Sequence, residues 1–224
     1  MNLESLNNEI ITCRKCPRLV AWREQVAREK RKAYKDQEYW GKPVPGFGDP
    51  KARVLVVGLA PGAHGSNRTG RQFTGDASGG FLFPALHRAG FANQPHSSAR
   101  GDGLALRDLY ITASGRCAPP GNKPTSEELD NCQPFLEREI EIIQPKVIVA
   151  LGRVAFARVL RIINRKLVSG EVEASVIVNR KSEIVNPKTF SHGAVHLFPA
   201  SSFIIHPSSL ICSYHPSQQN TSTR

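Results

Sequence analysis

The apolar positions of this chain fall into a few short unbroken runs, separated by stretches in which they recur every three or four residues. The runs are Arg53-Val54-Leu55-Val56-Val57-Gly58, Leu109-Tyr110-Ile111-Thr112-Ala113, Val147-Ile148-Val149-Ala150-Leu151 and Leu210-Ile211-Cys212-Ser213-Tyr214. Runs this short, with no alternation of apolar and polar residues, suit strands covered on both faces of a parallel sheet. Helical spacing appears from Pro17 to Tyr34, where Leu19, Trp22 and Val26 make a narrow stripe and Pro17 suits the first turn. A second helix is expected from Gly79 to Ala89, with Ser78 as cap, Gly90 as stop and a kink at Pro84. Thr125-Ser126-Glu127-Glu128 is a capping box, and the helix it opens carries Leu129, Cys132, Leu136, Ile140 and Ile143 on one face. A further helix runs from Gly152 to about Ile163, and Lys166 to Phe203 reads as a hairpin with loops.

Strands alternating with helices predict an α/β fold, a parallel sheet with helices on both faces. No repeat or linker divides the chain, so residues 1–224 are expected to form one domain. Ligands of open parallel sheets bind outside the carboxyl ends of the strands. The loops leaving those ends are Gly58 to Gly80, Ser114 to Lys123, Gly152 onward, and His215 to Asn220; the unusual polar residues gather in the first, second and fourth. Gly58-Leu59-Ala60-Pro61-Gly62 lacks both the Gly-Lys-Ser/Thr ending of a phosphate loop and the Rossmann glycine spacing, which argues against nucleotide hydrolysis and nicotinamide binding. Its glycines allow close backbone approach to a ligand; a tight turn is the plainer reading.

Charge changes the picture more than composition does. Hydrophobic content of 40% and charged content of 22% are those of an ordinary globular chain, not a disordered or fibrous one. Thirty Lys and Arg against nineteen Asp and Glu give a net charge of +11. Ten basic residues and four acidic ones fall between Arg14 and Lys42, a patch that suits nucleic acid, the commonest polyanion, or else a solvated face. No eighteen-residue apolar run and no secretory stretch at Met1–Glu9 are present, so a cytoplasmic protein off the membrane is expected. Five cysteines without an export signal argue against a disulfide framework. Cys13, Cys16, Cys117 and Cys132 suit a structural zinc or an iron–sulfur cluster, and Cys212, alternating within a strand, is expected to be a packed core thiol.

Two blocks then carry a resemblance. The first runs Gly58-Leu59-Ala60-Pro61-Gly62-Ala63-His64-Gly65-Ser66-Asn67-Arg68-Thr69-Gly70-Arg71-Gln72-Phe73-Thr74-Gly75-Asp76; the second is Ser213-Tyr214-His215-Pro216-Ser217-Gln218-Gln219-Asn220-Thr221. With the cysteines they resemble the family 5 uracil-DNA glycosylases from Cys13 to Thr221, nearly the whole chain. The resemblance implies a three-layer α/β/α sandwich around a four-stranded parallel sheet. It also implies a 4Fe–4S cluster on Cys13, Cys16, Cys117 and Cys132, which ties the basic segment 1–45 to the sheet. The family 4 enzymes carry a Glu where Leu59 stands and lack the Thr74-Gly75-Asp76 ending. The family's pattern continues past Asn220-Thr221 with another helix, whereas this sequence runs to Arg224.

The activity implied is hydrolytic removal of uracil, and of hypoxanthine or xanthine, from single- or double-stranded DNA by a monomeric repair enzyme that flips the nucleotide out. Phe73 is then expected to stack on the flipped base, or else to be core. Asn122 pairs with the base edge or is a turn residue. His215 donates to the uracil O2 as charge develops there. Leu59 and Ala60 are apolar where related enzymes activate water, so Asp76 is the candidate to orient water or stabilise the sugar cation. Gly62, Ala63 and His64 line the pocket; Ser217, Gln218, Gln219 and Asn220 meet the DNA. Arg68 and Arg71 read as phosphate contacts or solvated charges. The competing class is a non-catalytic nucleic-acid-binding module with a four-cysteine zinc site. It accounts for the charge and the thiols, not for polar residues gathered at three strand ends.

Overall fold

The structure is a computed structural model and describes residues 2–168, 176–178, 190–197 and 209–216. Its strands are β1 (Phe47–Gly48), β2 (Val54–Gly58), β3 (Leu109–Ala113), β4 (Val147–Leu151), β5 (Val176–Val178), β6 (Val195–Leu197) and β7 (Ser209–Ser213). The helices are α1 (Leu3–Thr12), α2 (Pro17–Glu29), α3 (Ser66–Thr69), α4 (Ala77–Arg88), α5 (Ser126–Ile143) and α6 (Arg153–Val168). The four apolar runs are the four central strands. They lie parallel in the order β3-β2-β4-β7, with Val54 opposite both Leu109 and Val147, and Val147 opposite Ser209.

The sheet is longer than the four strands expected. β1 pairs antiparallel with β3 at one edge, and β6 and β5 continue antiparallel beyond β7 at the other. These additions are two or three residues long, too short for hydrophobic period to mark them. β5 and β6 are the antiparallel pair expected within Lys166–Phe203.

Alternate strand residues feed two cores. Leu55, Val57, Ile148, Ala150, Leu210 and Cys212 pack against Leu136 and Ile140 of α5 and Phe156 and Val159 of α6. Val56, Ile111 and Leu151 pack against Leu82 and Phe83 of α4. Helices therefore cover both faces, and all five apolar residues named on α5 are buried, as is the Cys212 thiol. The capping box at Thr125 and Glu128 forms in full.

Three boundaries differ from the expectation. Leu3, Leu6 and Ile10 give α1 a buried stripe on a segment to which the apolar pattern assigned no element. Then α2 stops at Glu29 rather than Tyr34, because Lys30 takes a left-handed φ of 55°. Finally, α4 begins at Ala77, not Gly79, and its cap is Asp76 rather than Ser78; the Asp76 carboxylate accepts from the Gly79 N–H at 3.0 Å. An aspartate serves this role as well as a serine, and here the loop geometry selects it.

Candidate active site and cysteine cavity

The chain leaves β2 toward β3 and leaves β4 toward β7, so the carboxyl ends of β2 and β4 flank the topological switch point where such sheets bind ligands. The loop after β2 supplies Phe73 to this place and the end of β7 supplies His215. Their rings lie 5.8 Å apart, tilted by 32°. Gly152, which follows β4, borders His215: a Cβ there would stand 3.4 Å from the His215 Cβ. Phe73 holds a left-handed φ of 52° and is only 6% exposed. Its ring presses on Gly58 so closely that a Cβ at that glycine would lie 2.7 Å from Cζ. The ring therefore belongs to the α4-side core and to the site wall at once. Burial draws the His215 pKa below its ordinary value, which favours the neutral imidazole.

Asp76 reaches back over the same loop. Its carboxylate packs against Gly62 and Gly65; a Cβ on Gly65 would overlap the carboxyl group. Burial raises its pKa, while the N–H groups of Gly79 and Ser78 and the charge of Arg68 pull it down. His64 is half-buried, with Nδ1 3.0 Å from the Tyr39 hydroxyl; burial, with Arg31 and Arg68 nearby, lowers its pKa. Gly62 and Ala63 are half-buried in the turn before α3, where the Gly62 carbonyl accepts from the Asn67 N–H at 2.9 Å. Asn122 is exposed in a 3-10 turn leaving β3, with a left-handed φ of 57°. That backbone geometry suits a turn. Ser217, Gln218, Gln219 and Asn220 lie outside the described residues.

Arg68 and Arg71 are neither solvated nor free for phosphate. Arg68 is buried, donates to the carbonyls of His64 (2.7 Å) and Gly75 (2.8 Å) and to Gln37, and lies 4.0 Å over the Tyr34 ring. Arg71 is buried against Asp102 at 2.7 Å, with Thr74 and Ser97 completing its partners. Both arginines brace the glycine-rich loop. The basic segment is likewise thinner than its count: Arg14 pairs with Glu24, Arg18 with Glu128, and Arg23 is buried. Lys15, Arg28, Arg31, Lys32, Lys35 and Lys42 remain exposed.

Cys13, Cys16, Cys117 and Cys132 line one small cavity, together with Leu19, Arg23 and Arg116. Burial pushes the Cys117 thiol up to about 12 and raises Cys132 and Cys16 as well. Among the described residues no three His, Cys, Asp or Glu side chains are grouped to hold one metal ion. A zinc ion with bonds of about 2.3 Å needs its sulfurs far closer together than a larger inorganic group does. Arg23 and Arg116 each bury an Nε–H without an acceptor at this cavity, as a wall facing a negatively charged group would. The residues present fit an iron–sulfur cluster better than one ion. Sequence pattern did not single out Tyr39 or Arg23: neither lies in a motif, and their partners are 25 and 94 residues away.

The family model described as the uracil DNA glycosylase superfamily matches residues 45–224. The type-5 uracil-DNA glycosylase of Thermus thermophilus is 48% identical over 224 residues, covering 100% of this chain and 90% of that protein. That of Mycobacterium leprae is 48% identical, covering 99% and 88%, and that of Pyrobaculum aerophilum 43% identical, covering 96% and 83%. With the glycine-rich loop, the histidine after β7 and the four-cysteine cavity on one α/β scaffold, the chain belongs to the type-5 uracil-DNA glycosylases of the uracil DNA glycosylase superfamily.

Proposed function

We propose that this protein removes uracil from DNA by hydrolysis and leaves an abasic site, and that hypoxanthine and xanthine enter the same pocket. The observation that carries the reading is the meeting of Phe73 with His215 at the switch point, beside the Asp76 loop. A base inside a duplex is out of reach, so the nucleotide is flipped into this crevice, where Phe73 offers an aromatic wall. As the bond from the sugar C1′ to uracil N1 breaks, its electron pair moves onto the base and charge gathers on O2. The neutral His215 imidazole donates a hydrogen bond to that oxygen. Water then attacks C1′, and the proton it loses passes through solvent to the departed uracil anion. Asp76 orients that water or stabilises the sugar cation, and Asn122, from the loop after β3, reaches the base edge. His64, held by Tyr39, lines the sugar side with Gly62 and Ala63, while Ser217, Gln218 and Asn220 meet the DNA strand. Release of radiolabelled uracil from single- and double-stranded DNA tests the reading; a protein that binds such DNA and frees no base on any lesion would return it to the class of binding modules.

We further infer that Cys13, Cys16, Cys117 and Cys132 hold a 4Fe–4S cluster. Its part is structural: it fastens the N-terminal basic segment to the sheet, so that segment and site act as one domain.

Asp76 gives two expected results. Asp76→Asn keeps the shape and removes the charge, so single-turnover release is expected to fall on the order of a hundredfold, the low end for a positioned acid–base group, with DNA affinity unchanged. Because burial raises the Asp76 pKa, the wild-type rate is expected to fall as pH drops toward a point above the ordinary aspartate value of 3.8, and Asp76→Asn to flatten that acid limb. A wild-type rate on every lesion would leave Asp76 only its capping role. Gly65→Ala attacks the same carboxylate from the loop: its Cβ displaces Asp76, so release is expected to fall by a similar factor while the visible absorption stays unchanged.

A further inference from the structure

Arg23 stands between the cysteine cavity and the glycine-rich loop. Its side chain is 2% exposed. Nη1 donates to the Cys117 Sγ at 2.8 Å and Nη2 to the Cys13 carbonyl at 3.3 Å. Its Nε–H is buried without an acceptor. Arg116 lines the same cavity but spends its charge on Glu139, Nη2 to Oε2 2.5 Å. Among the described residues no carboxylate forms an ion pair with Arg23. A buried cation without a counter-charge costs several kcal/mol, so a chain that keeps one there provides it with an anion. Glu24, whose carboxylate feels Arg23, is bonded to Arg14 instead; the sulfur that accepts from Arg23 is that of Cys117, a thiolate when it ligates iron.

We infer that Arg23 is the positioning residue that sets the reduction potential of the iron–sulfur group, by placing a buried positive charge and a hydrogen bond on the Cys117 sulfur. The inference rests on the proposed cluster and deepens it. Potentials of such clusters follow net charge, burial and hydrogen bonds to the sulfurs. On reduction the cluster accepts one electron and no ligand bond is made or broken. The reduced state carries one more negative charge, so a guanidinium at 2.8 Å favours it and raises the potential. The other side-chain donor to a ligand sulfur, Asn131 Nδ2 to Cys16 Sγ, is neutral and longer at 3.5 Å. Its influence is therefore smaller. The Arg23 backbone has a separate duty: its carbonyl accepts from Asn67 Nδ2 of α3 at 3.3 Å. Changing the side chain leaves that acceptor in place.

The test is a redox titration of the purified holoprotein with dithionite and mediators, followed by visible bleaching and by the paramagnetic signal of the reduced cluster. Iron is counted per chain in each sample. Arg23→Met is expected to hold the same iron while the ratio of reduced to oxidised cluster at a fixed potential falls at least tenfold, a negative shift of about 59 mV for one electron. Arg23→Lys, which keeps the charge on a different donor, is expected to fall between, and Asn131→Ala to shift less than Arg23→Met. A wild-type potential in an iron-replete Arg23→Met protein overturns this inference alone. If that variant does not retain iron, Arg23→Gln, which keeps an N–H donor without the charge, takes its place, and a wild-type potential there is equally fatal. Absence of iron from the wild-type protein overturns the cluster itself and this inference with it.

Discussion

Replacing His215 with Ala is expected to slow single-turnover release of uracil on the order of a thousandfold while DNA affinity stays within about twofold of wild type. A donor aimed at charge that exists only as the bond breaks lowers the barrier without contributing to ground-state binding, and removal of one such donor costs roughly a hundred- to a thousandfold. The upper part of that range is expected because His215 is half-buried, with its ring against Phe73 and its Cβ beside Gly152, which limits the solvent that competes for the oxygen. Burial lowers its pKa from the ordinary histidine value, which favours the neutral imidazole as the donor. His215→Gln retains an N–H donor at a similar reach on a more flexible side chain and is expected to recover part of the rate. Should His215→Ala release uracil as fast as wild type, the oxygen must be met by another group, and the meeting of β2 and β7 ends would lose its mechanistic meaning.

The central strands were legible because burial on both faces leaves nothing polar to confuse the pattern. Val54-Leu55-Val56-Val57 and Val147-Ile148-Val149-Ala150 feed one core with one parity and the second core with the other. The edges were not legible, since two- and three-residue strands have no period to read. The start of α4 turned on Asp76 against Ser78, two competent caps two residues apart. The deciding factor was tertiary: Gly62 and Gly65 leave room for the Asp76 carboxylate over the loop. That same placement makes a helix cap of a residue singled out for chemistry.

Charged residues misled more than apolar ones. Arg68 and Arg71 sit among polar neighbours in a glycine-rich loop, where a solvated role looks natural. Their partners are carbonyls of the folded loop and an aspartate 31 positions away, which no local pattern displays. Arg14 and Arg18 are engaged in ion pairs with Glu24 and Glu128, and Arg23 is buried. The exposed cations of that segment outside these ion pairs, Lys15, Arg28, Arg31, Lys32, Lys35 and Lys42, are fewer than the count of ten, so its electrostatic face is narrower than net charge alone suggests.

Cys117→Ser is expected to abolish the yellow-brown colour, release the iron, and lower the melting temperature. Cys117 is 8% exposed, in the loop leaving β3, and faces Cys13 and Cys16 of the N-terminal segment and Cys132 of α5 across one cavity. A thiolate held in place by the fold joins parts of the chain more than a hundred residues apart. Since the ligand set does not exist in the unfolded chain, the free energy of binding the group is free energy of folding. A serine hydroxyl is a poor ligand for iron and leaves the Arg23 guanidinium buried without its sulfur. The N-terminal segment then depends on α1 packing, where Leu6 and Ile10 meet Phe135, and on surface ion pairs such as Arg18–Glu128 and Arg138–Glu9. Cys13→Ser should behave alike, with loss of iron and earlier melting. Cys212→Ser separates ligand from core: that thiol is buried between β4 and α6 residues, so the variant is expected to melt earlier yet keep its full colour and iron content. Visible absorption, iron per chain and a melting curve decide the matter. Unchanged absorption and melting in both Cys13→Ser and Cys117→Ser would refute the cluster, and loss of colour in Cys212→Ser would show that the wrong four cysteines had been named.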